Sequence, residues 1–253
     1  MDTVNNSPNH PISIITNLIN IPFHTTITSQ RWTTAVSMCL KKKLGQPQTD
    51  KIRIIHLFEA DLNGALKTLW GHTLPTQAEK LQAYPDAQYG GRQGRSAIDA
   101  VTIKRLAFEY SIVTRNPMLL MDNDATACYD CIITPISSIC CQQLGMTTLA
   151  EDAHNDILLK LKYHIKTAYS ISPDFYQGTH DNPLQGQGQG SGNAPSCWNA
   201  TSAPMWHALR KLSNLQYTTM TPDHSVTMAT QGVAFMDDAI TMFNNSLKHP
   251  ANK

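Results

Sequence analysis

The sequence predicts a mixed α+β fold. Three observations carry that expectation: short apolar runs that read as strands, longer stretches with apolar residues at helical spacing, and enough apolar material to bury a core. Hydrophobic residues make up 41% of the 253 and charged residues 15%, which excludes a wholly disordered or collagen-like chain. A net charge of +1, from 20 Lys and Arg against 19 Asp and Glu, argues at first sight against a protein that coats nucleic acid by bulk charge.

Taken in order, residues 1–30 are rich in Asn, Thr, Ser and Pro and predict a poorly ordered N-terminal arm. From Trp32 to Leu40 the pattern is helical, and it ends in Lys41-Lys42-Lys43 and Gly45. Lys51 to Leu57 alternates as a strand does. Asp61 to Leu74 is helical, with Leu62, Ala65, Leu66 and Leu69 on one face. A glycine- and arginine-rich loop, Gln88 to Ser96, precedes a helix from Ala97 to Tyr110. Met118 to Met121 is apolar without helical period and reads as a short buried strand, followed by a helical turn from Ala125 to Ile133.

Ile157, Leu158, Leu161, Ile165 and Ala168 predict a helix over 151–170, with Glu151 and Asp152 at the positive end of its dipole. A second glycine loop, QGQGQGSGN, leads into a helix-like stretch bearing Trp198, Met205 and Trp206. Last, two apolar runs flank Asp237-Asp238, which predicts a β-hairpin with carboxylates at its tip.

The N-terminus lacks a basic region followed by an apolar one, and no apolar run is long enough to span a bilayer. An intracellular protein with reduced thiols and no membrane contact is the expectation. Cys128, Cys131, Cys140 and Cys141 could be four zinc thiolates, but the segment lacks the glycine turns of zinc knuckles and reads as packing positions.

Three acidic positions could carry chemistry. Asp124 follows the 118–121 strand, and Asp237 and Asp238 sit at the hairpin tip. A strand-end carboxylate beside a hairpin-tip carboxylate could hold two magnesium ions, which take hard oxygen ligands and activate phosphoryl transfer. On spacing alone the Asp-Asp pair reads more readily as a solvated turn, and Asp124 as part of a helix N-cap region.

The order of features narrows this. MDNDATACYDCI resembles the palm motif A of reverse transcriptases, with Asp124, Tyr129 and Asp130 at the motif's spacing. GQGQGSGNAPSCW resembles motif B, through Gln189, Gly190, Ser191 and Pro195, and VAFMDDAI resembles motif C, through Phe235, Asp237 and Asp238. QYGGRQGRSAIDAV is similar to the segment joining fingers to palm, and KIRIIHLFEADLN to a basic fingers strand. The resemblance covers roughly residues 31–243 and is nearest to the non-long-terminal-repeat and group II intron branch.

That resemblance implies a right-hand polymerase architecture: fingers over 31–116 and a palm over 117–253, with a small antiparallel palm sheet packed on helices. It implies an RNA-directed DNA polymerase domain of a retroelement, a nucleotidyltransferase using two Mg2+ ions, with Mn2+ as a substitute. Asp124, Asp237 and Asp238 would be catalytic metal ligands. Tyr129 would gate the sugar; Gln189, Gly190 and Ser191 would approach the template–nucleotide pair; Lys51 and Arg53 would meet the triphosphate. Arg92 and Arg95 would contact the nucleic-acid backbone or stand in solvent. The expected partners are an RNA template with a DNA or RNA primer, and deoxynucleoside triphosphates.

The departures are Met236 where a small residue is common, and Gly91 where an aromatic is common. Only 15 residues follow Asp238, so the expectation is a chain whose thumb is missing or supplied by a longer polyprotein. The alternative is a catalytically inactive polymerase-like remnant that binds RNA or a protein partner. Charge distribution fits either reading. Residues 31–115 hold 13 Lys and Arg against 7 Asp and Glu, for +6, and the rest hold 7 against 12, for −5. The neutral total hides a basic half and an acidic half.

Overall fold

The computed structural model describes residues 11–42, 45, 52–212 and 216–244. The chain forms two compact units, each gathered from two segments. Unit one takes Met1–Ala78 and Tyr129–Cys197; unit two takes Glu79–Cys128 and Trp198–Lys253. The boundary expected at 116/117 therefore falls inside unit two, because the chain leaves each unit and later returns to it.

Unit one is built on a four-stranded sheet of β1 (Thr34–Lys41), β2 (Ile52–Leu57), β4 (Lys162–Lys166) and β5 (Ile171–Tyr176), in the order β2-β1-β4-β5. β1 runs antiparallel to β2 and parallel to β4. Two sequence expectations are corrected here. The stretch from Trp32 to Leu40 is not a helix: a 3-10 turn, Gln30–Thr33, leads into β1. The helix expected over 151–170 ends early, as α6 (Thr148–Lys160), and Leu161 passes the chain into β4. In each case a ladder of strand partners outweighs apolar spacing that fits both periods over so few residues.

The helices of this unit are α1 (Pro11–Thr25), α2 (Ala60–Thr68), a π-helical segment Leu69–Thr73, α3 (Leu74–Lys80, whose end enters unit two), α5 (Thr134–Gln143) and α6. The arm expected over 1–30 is thus a helix from residue 11 to 25. It is held because Phe23 is buried against Trp32 and Trp70, with ring centroids 5.9 Å apart in both pairs. Leu62, Leu66, Leu74, Ile157 and Leu161 complete the buried core. The helical turn expected over 125–133 does not form; Ala127 takes φ 49°, which an α-helix cannot continue, and α5 begins only at Thr134.

Unit two centres on a three-stranded antiparallel sheet of β3 (Met118–Asp124), β8 (Gly232–Phe235) and β9 (Asp238–Asn244), ordered β3-β9-β8. The hairpin expected around Asp237-Asp238 is β8–β9. Helix α4 (Ala97–Thr114) begins with a capping box, in which Ser96 and Asp99 satisfy each other's backbone N–H groups. Ala100 and Ala107 of α4 pack with Val233 and Met242 of the sheet and with Tyr217. Tyr217 opens β6 (Tyr217–Met220), which pairs with β7 (Thr227–Thr230). Helix α7 (Ala194–Lys211) starts in unit one and ends in unit two, where Trp206 is buried. No helix among the described residues is long and apolar enough to cross a membrane.

Candidate functional site

The three acidic residues all belong to unit two. Asp124 ends β3 and lies directly opposite Asp238, the first residue of β9. Residues opposed in this way have Cα atoms roughly 4.5–5.5 Å apart and project from the same face of the sheet. Asp237 precedes Asp238 in the two-residue turn, Met236-Asp237, that joins Phe235 to its partner Asp238. Asp124 and Asp238 are exposed and Asp237 is half-buried. Among the described residues no cation pairs with any of the three, so two like charges face each other across the strands, an arrangement that disfavours folding unless a cation shares them. No group of three potential ligands converges as a metal cluster among the described residues.

The turn carrying Asp237 is held from one side. Met236 has φ 59°, a backbone conformation that costs a bulky residue about 1–2 kcal/mol. Gln88 meets it with both ends of its amide: Oε1 accepts from the Met236 N–H at 3.2 Å, and Nε2 donates to the Met236 carbonyl at 3.4 Å. The Trp198 indole N–H donates to the same carbonyl at 2.8 Å. Gly90 completes the cradle, because a Cβ there would lie 2.4 Å from the Met236 nitrogen. The sequence shows Gln88 at the start of this loop and Trp198 on a helix, but no spacing relates either of them to the hairpin.

The two loop arginines differ. Arg92 is buried and makes four hydrogen bonds: to both carboxylate oxygens of Glu79, at 2.6 and 2.7 Å, and to the carbonyls of Pro85 and Gln88. It braces the loop, and the expectation that it reaches nucleic acid is corrected on that ground. The pairing with Arg92 also holds the Glu79 carboxyl below the usual range. Arg95 donates to the Asp86 carbonyl at 2.6 Å and lies over the Tyr89 ring, with part of its side chain open to solvent.

The remaining expected site residues belong to unit one. The loop Gly186 to Asn193 runs beside β2, where the His56 N–H donates to the Gln189 carbonyl at 2.6 Å. Gly190 takes φ 112°, and a Cβ there would lie 2.4 Å from the His56 carbonyl oxygen, so glycine is required. Gly190 is exposed and Gln189 half-exposed, but Ser191 is buried and its hydroxyl donates inward to Asn193. Asn193 is fully buried, and its amide also reaches Gln187 Oε1 and His154 Nε2, each at 2.9 Å. Burial pushes the His154 pKa down to about 4, so its ring is neutral and accepts from Asn193. Tyr129 is half-buried, and its carbonyl accepts from the Gln187 N–H at 2.8 Å.

Lys51 lies outside the described residues. Arg53 is exposed on β2, opposite Leu40. Thr34 and Met38, on the same face of β1, lie opposite Lys162 and Lys166. Arg53, Lys162 and Lys166 therefore share one face of the four-stranded sheet. Phe175 is on that face opposite His164, with the Lys162 ammonium 4.9 Å from its ring centre. No Asp or Glu occupies a paired position on this face. The sequence signal that marks it is the alternation Lys162–His164–Lys166, which a helical reading of that stretch hides.

No protein-family model matches the chain, and no curated protein matches it by sequence. Solved structures do. Telomerase from Candida albicans, in complex with a TWJ fragment of telomeric RNA, is 12% identical over 91% of this chain and 40% of its own, with a TM-score of 0.53. Apo telomerase from Candida tropicalis, truncated from its C-terminal domain, is 11% identical over 92% of this chain and 49% of its own, also at 0.53. The Candida tropicalis enzyme with the TWJ fragment gives 12%, 93%, 41% and 0.53 in the same order. The chain thus spans less than half the length of these telomerase chains. The likeness shows a reverse-transcriptase-like fold, shared with these telomerase chains, and nothing finer.

Proposed function

We propose that the chain is the fingers-and-palm part of an RNA-directed DNA polymerase of a retroelement, of the non-long-terminal-repeat or group II intron kind. One observation supports it above the others. On a reverse-transcriptase-like fold, Asp124 and Asp238 oppose each other on adjacent strands beside the turn that carries Asp237.

The carboxylates fit magnesium. They are hard oxygen donors, they are open to solvent, and two carboxylates are the number magnesium usually takes before substrate phosphates and water complete its shell. Asp124 and Asp237 would be the principal ligands of the ions, with Asp238 beside them; Mn2+ would substitute. When bound, two such ions activate the primer 3′-hydroxyl and stabilise the leaving oxygen. The chain's own residues then bind and orient. Gln88 and Trp198 keep the turn, and with it Asp237, in place. Tyr129 would exclude a 2′-hydroxyl, the Gln189–Gly190 backbone would support the template–nucleotide pair, and Arg53 with Lys51 would take the triphosphate. The acid-free face bearing Lys162, Lys166 and Phe175 suits a nucleic-acid strand, through phosphate contacts and base stacking.

The test is extension of a DNA primer on an RNA template with magnesium and deoxynucleoside triphosphates. Incorporation by the native chain, lost to background in Asp237→Asn and Asp124→Asn, is the expected result. A second reading, favoured by the absence of a three-ligand cluster among the described residues, is a non-synthesising module that binds RNA. It predicts salt-dependent RNA affinity unchanged by either substitution, with no product from any variant.

A further inference from the structure

The loop from Gly186 to Asn193 has an inside and an outside, and the two are built differently. Its inner side is hydrogen-bonded to three separate elements of unit one. β2 contributes the His56 N–H on the Gln189 carbonyl. α2 contributes Asn63, whose Nδ2 donates to the Gly190 carbonyl at 3.1 Å and whose Oδ1 accepts from the Gly192 N–H at 2.6 Å. α6 contributes His154, bonded to Asn193, which in turn holds Gln187 and Ser191. Gln187, Ser191, Asn193 and His154 are all buried. Among the described residues the half-exposed Gln189 side chain has no hydrogen-bond partner.

A flexible connector has no need of this. Buried polar groups are costly unless every one is satisfied, and a fully satisfied network fixes a single geometry. Asn63 is the informative member. It is only half-buried, it lies on a different helix, and its one amide spans two backbone groups of the loop, as a strand partner would. Gly192 permits that approach, since a Cβ there would lie 2.8 Å from the Lys67 Cβ and 2.9 Å from the Asn63 carbonyl oxygen.

We propose that Asn63 and the His154–Asn193 pair are positioning residues that hold Gln189 and Gly190 as a rigid platform for the incoming nucleoside triphosphate. The inference rests on the polymerase reading only for the identity of the ligand. Asn63 touches the platform and not the nucleotide, so its loss weakens nucleotide binding and leaves the chemical step intact.

The experiment compares the native chain with Asn63→Ala, Asn63→Asp and Asn193→Ala. Titration of deoxythymidine triphosphate onto the chain with an annealed primer–template and magnesium needs no turnover. Asn63→Ala loses both hydrogen bonds to the loop and is expected to bind about tenfold more weakly, the low end of what two lost hydrogen bonds cost. Asn63→Asp keeps the acceptor for Gly192 and recovers part of the loss. Amide hydrogen exchange over residues 188–193 is expected to quicken by about tenfold in Asn63→Ala, with exchange elsewhere unchanged. Where turnover is measurable, KM for the nucleotide rises about tenfold and kcat stays within about twofold. Equal nucleotide affinity in native chain and Asn63→Ala overturns the inference, as does unchanged exchange in the loop or no nucleotide binding by the native chain. Nucleotide binding that responds to Asn63 without primer extension would instead count against the polymerase reading alone. Asn193→Ala is expected to exceed Asn63→Ala in both readouts, and Asn63→Ala remains decisive should Asn193→Ala not fold.

Discussion

The Gly186–Asn193 loop of unit one and the Gln88–Met236 cradle of unit two solve the same problem with opposite means. Each brings backbone close to backbone at a glycine, Gly190 against the His56 carbonyl and Gly90 against the Met236 nitrogen. Unit one fixes its loop with a buried side-chain network reaching back to α6, and leaves a neutral amide and bare backbone outside. Unit two fixes a strained turn with Gln88 and Trp198, and leaves three carboxylates at the tip. The contrast teaches that shape is the product of one region and exposed charge the product of the other. On the proposed function, the loop that would fit a ligand is supported from behind, whereas the carboxylates that would share cations keep their oxygens open.

The comparison breaks most easily at the glycines. Gly190→Ala combines a Cβ clash with a backbone conformation that disfavours any side chain, and is expected to destabilise unit one by about 4 kcal/mol. Gly90→Ala meets a clash without that backbone strain and should cost unit two about 2 kcal/mol. Urea unfolding followed by tryptophan fluorescence separates them, since Trp32 and Trp70 report on unit one and Trp198 and Trp206 on unit two. A larger loss for Gly90→Ala than for Gly190→Ala would reverse the ranking.

The second difference is in pH dependence. Glu151, buried on α6 and accepting from the Trp70 indole at 2.8 Å, has its pKa raised to about 7 because burial penalises the carboxylate. Unfolded, it would release its proton near 4.5. Between those values the folded chain holds this proton and the unfolded chain does not, so the Glu151 contribution to stability is full below about pH 4.5, falls up to pH 7 and levels off above it. The total loss is about 3 kcal/mol. Glu151→Gln keeps an acceptor for Trp70 and removes the titration. Its thermal unfolding followed at Trp70 is expected to keep only the opposite rise between about pH 4 and 6.5 that the buried neutral His154 contributes, and to lie above native at pH 8. A Glu151→Gln chain no more stable than native at pH 8, relative to pH 5, would contradict the raised pKa.

The hairpin was legible from the sequence, because two short apolar runs flank the Asp237-Asp238 turn. The glycine loop was legible as a loop, and its network was not: Asn63, His154 and Asn193 are far apart in the chain, and no spacing relates them. Residues 34–41 and 162–166 were misread as helix because a short apolar stretch fits both periods until a partner strand is known. Helix α1 was hidden by its Asn, Thr and Pro content, although Ile15, Leu18, Ile19 and Pro22 already lie at helical spacing. Arg92 misled for another reason. An arginine in a glycine loop invites a phosphate, and Glu79, thirteen residues away, takes it instead.

The smallest expected effect tests whether the cradle acts on the turn alone. Gln88→Met keeps the side chain's length but deprives the Gly90 and Met236 N–H groups of their shared acceptor. Two backbone donors left without a partner would cost more than one hydrogen bond, yet the turn lies near solvent, so about 1–2 kcal/mol is expected. The loss should be local. Amide exchange at Met236 and Asp237 quickens, the pairing of β3 with β9 stays protected, and the unit-one loop is untouched. If exchange at Met236 is unchanged, Trp198 alone carries the turn. If β3 and β9 lose protection together with it, Gln88 supports the whole sheet, and the carboxylates' register depends on a loop that the sequence places thirty residues before β3.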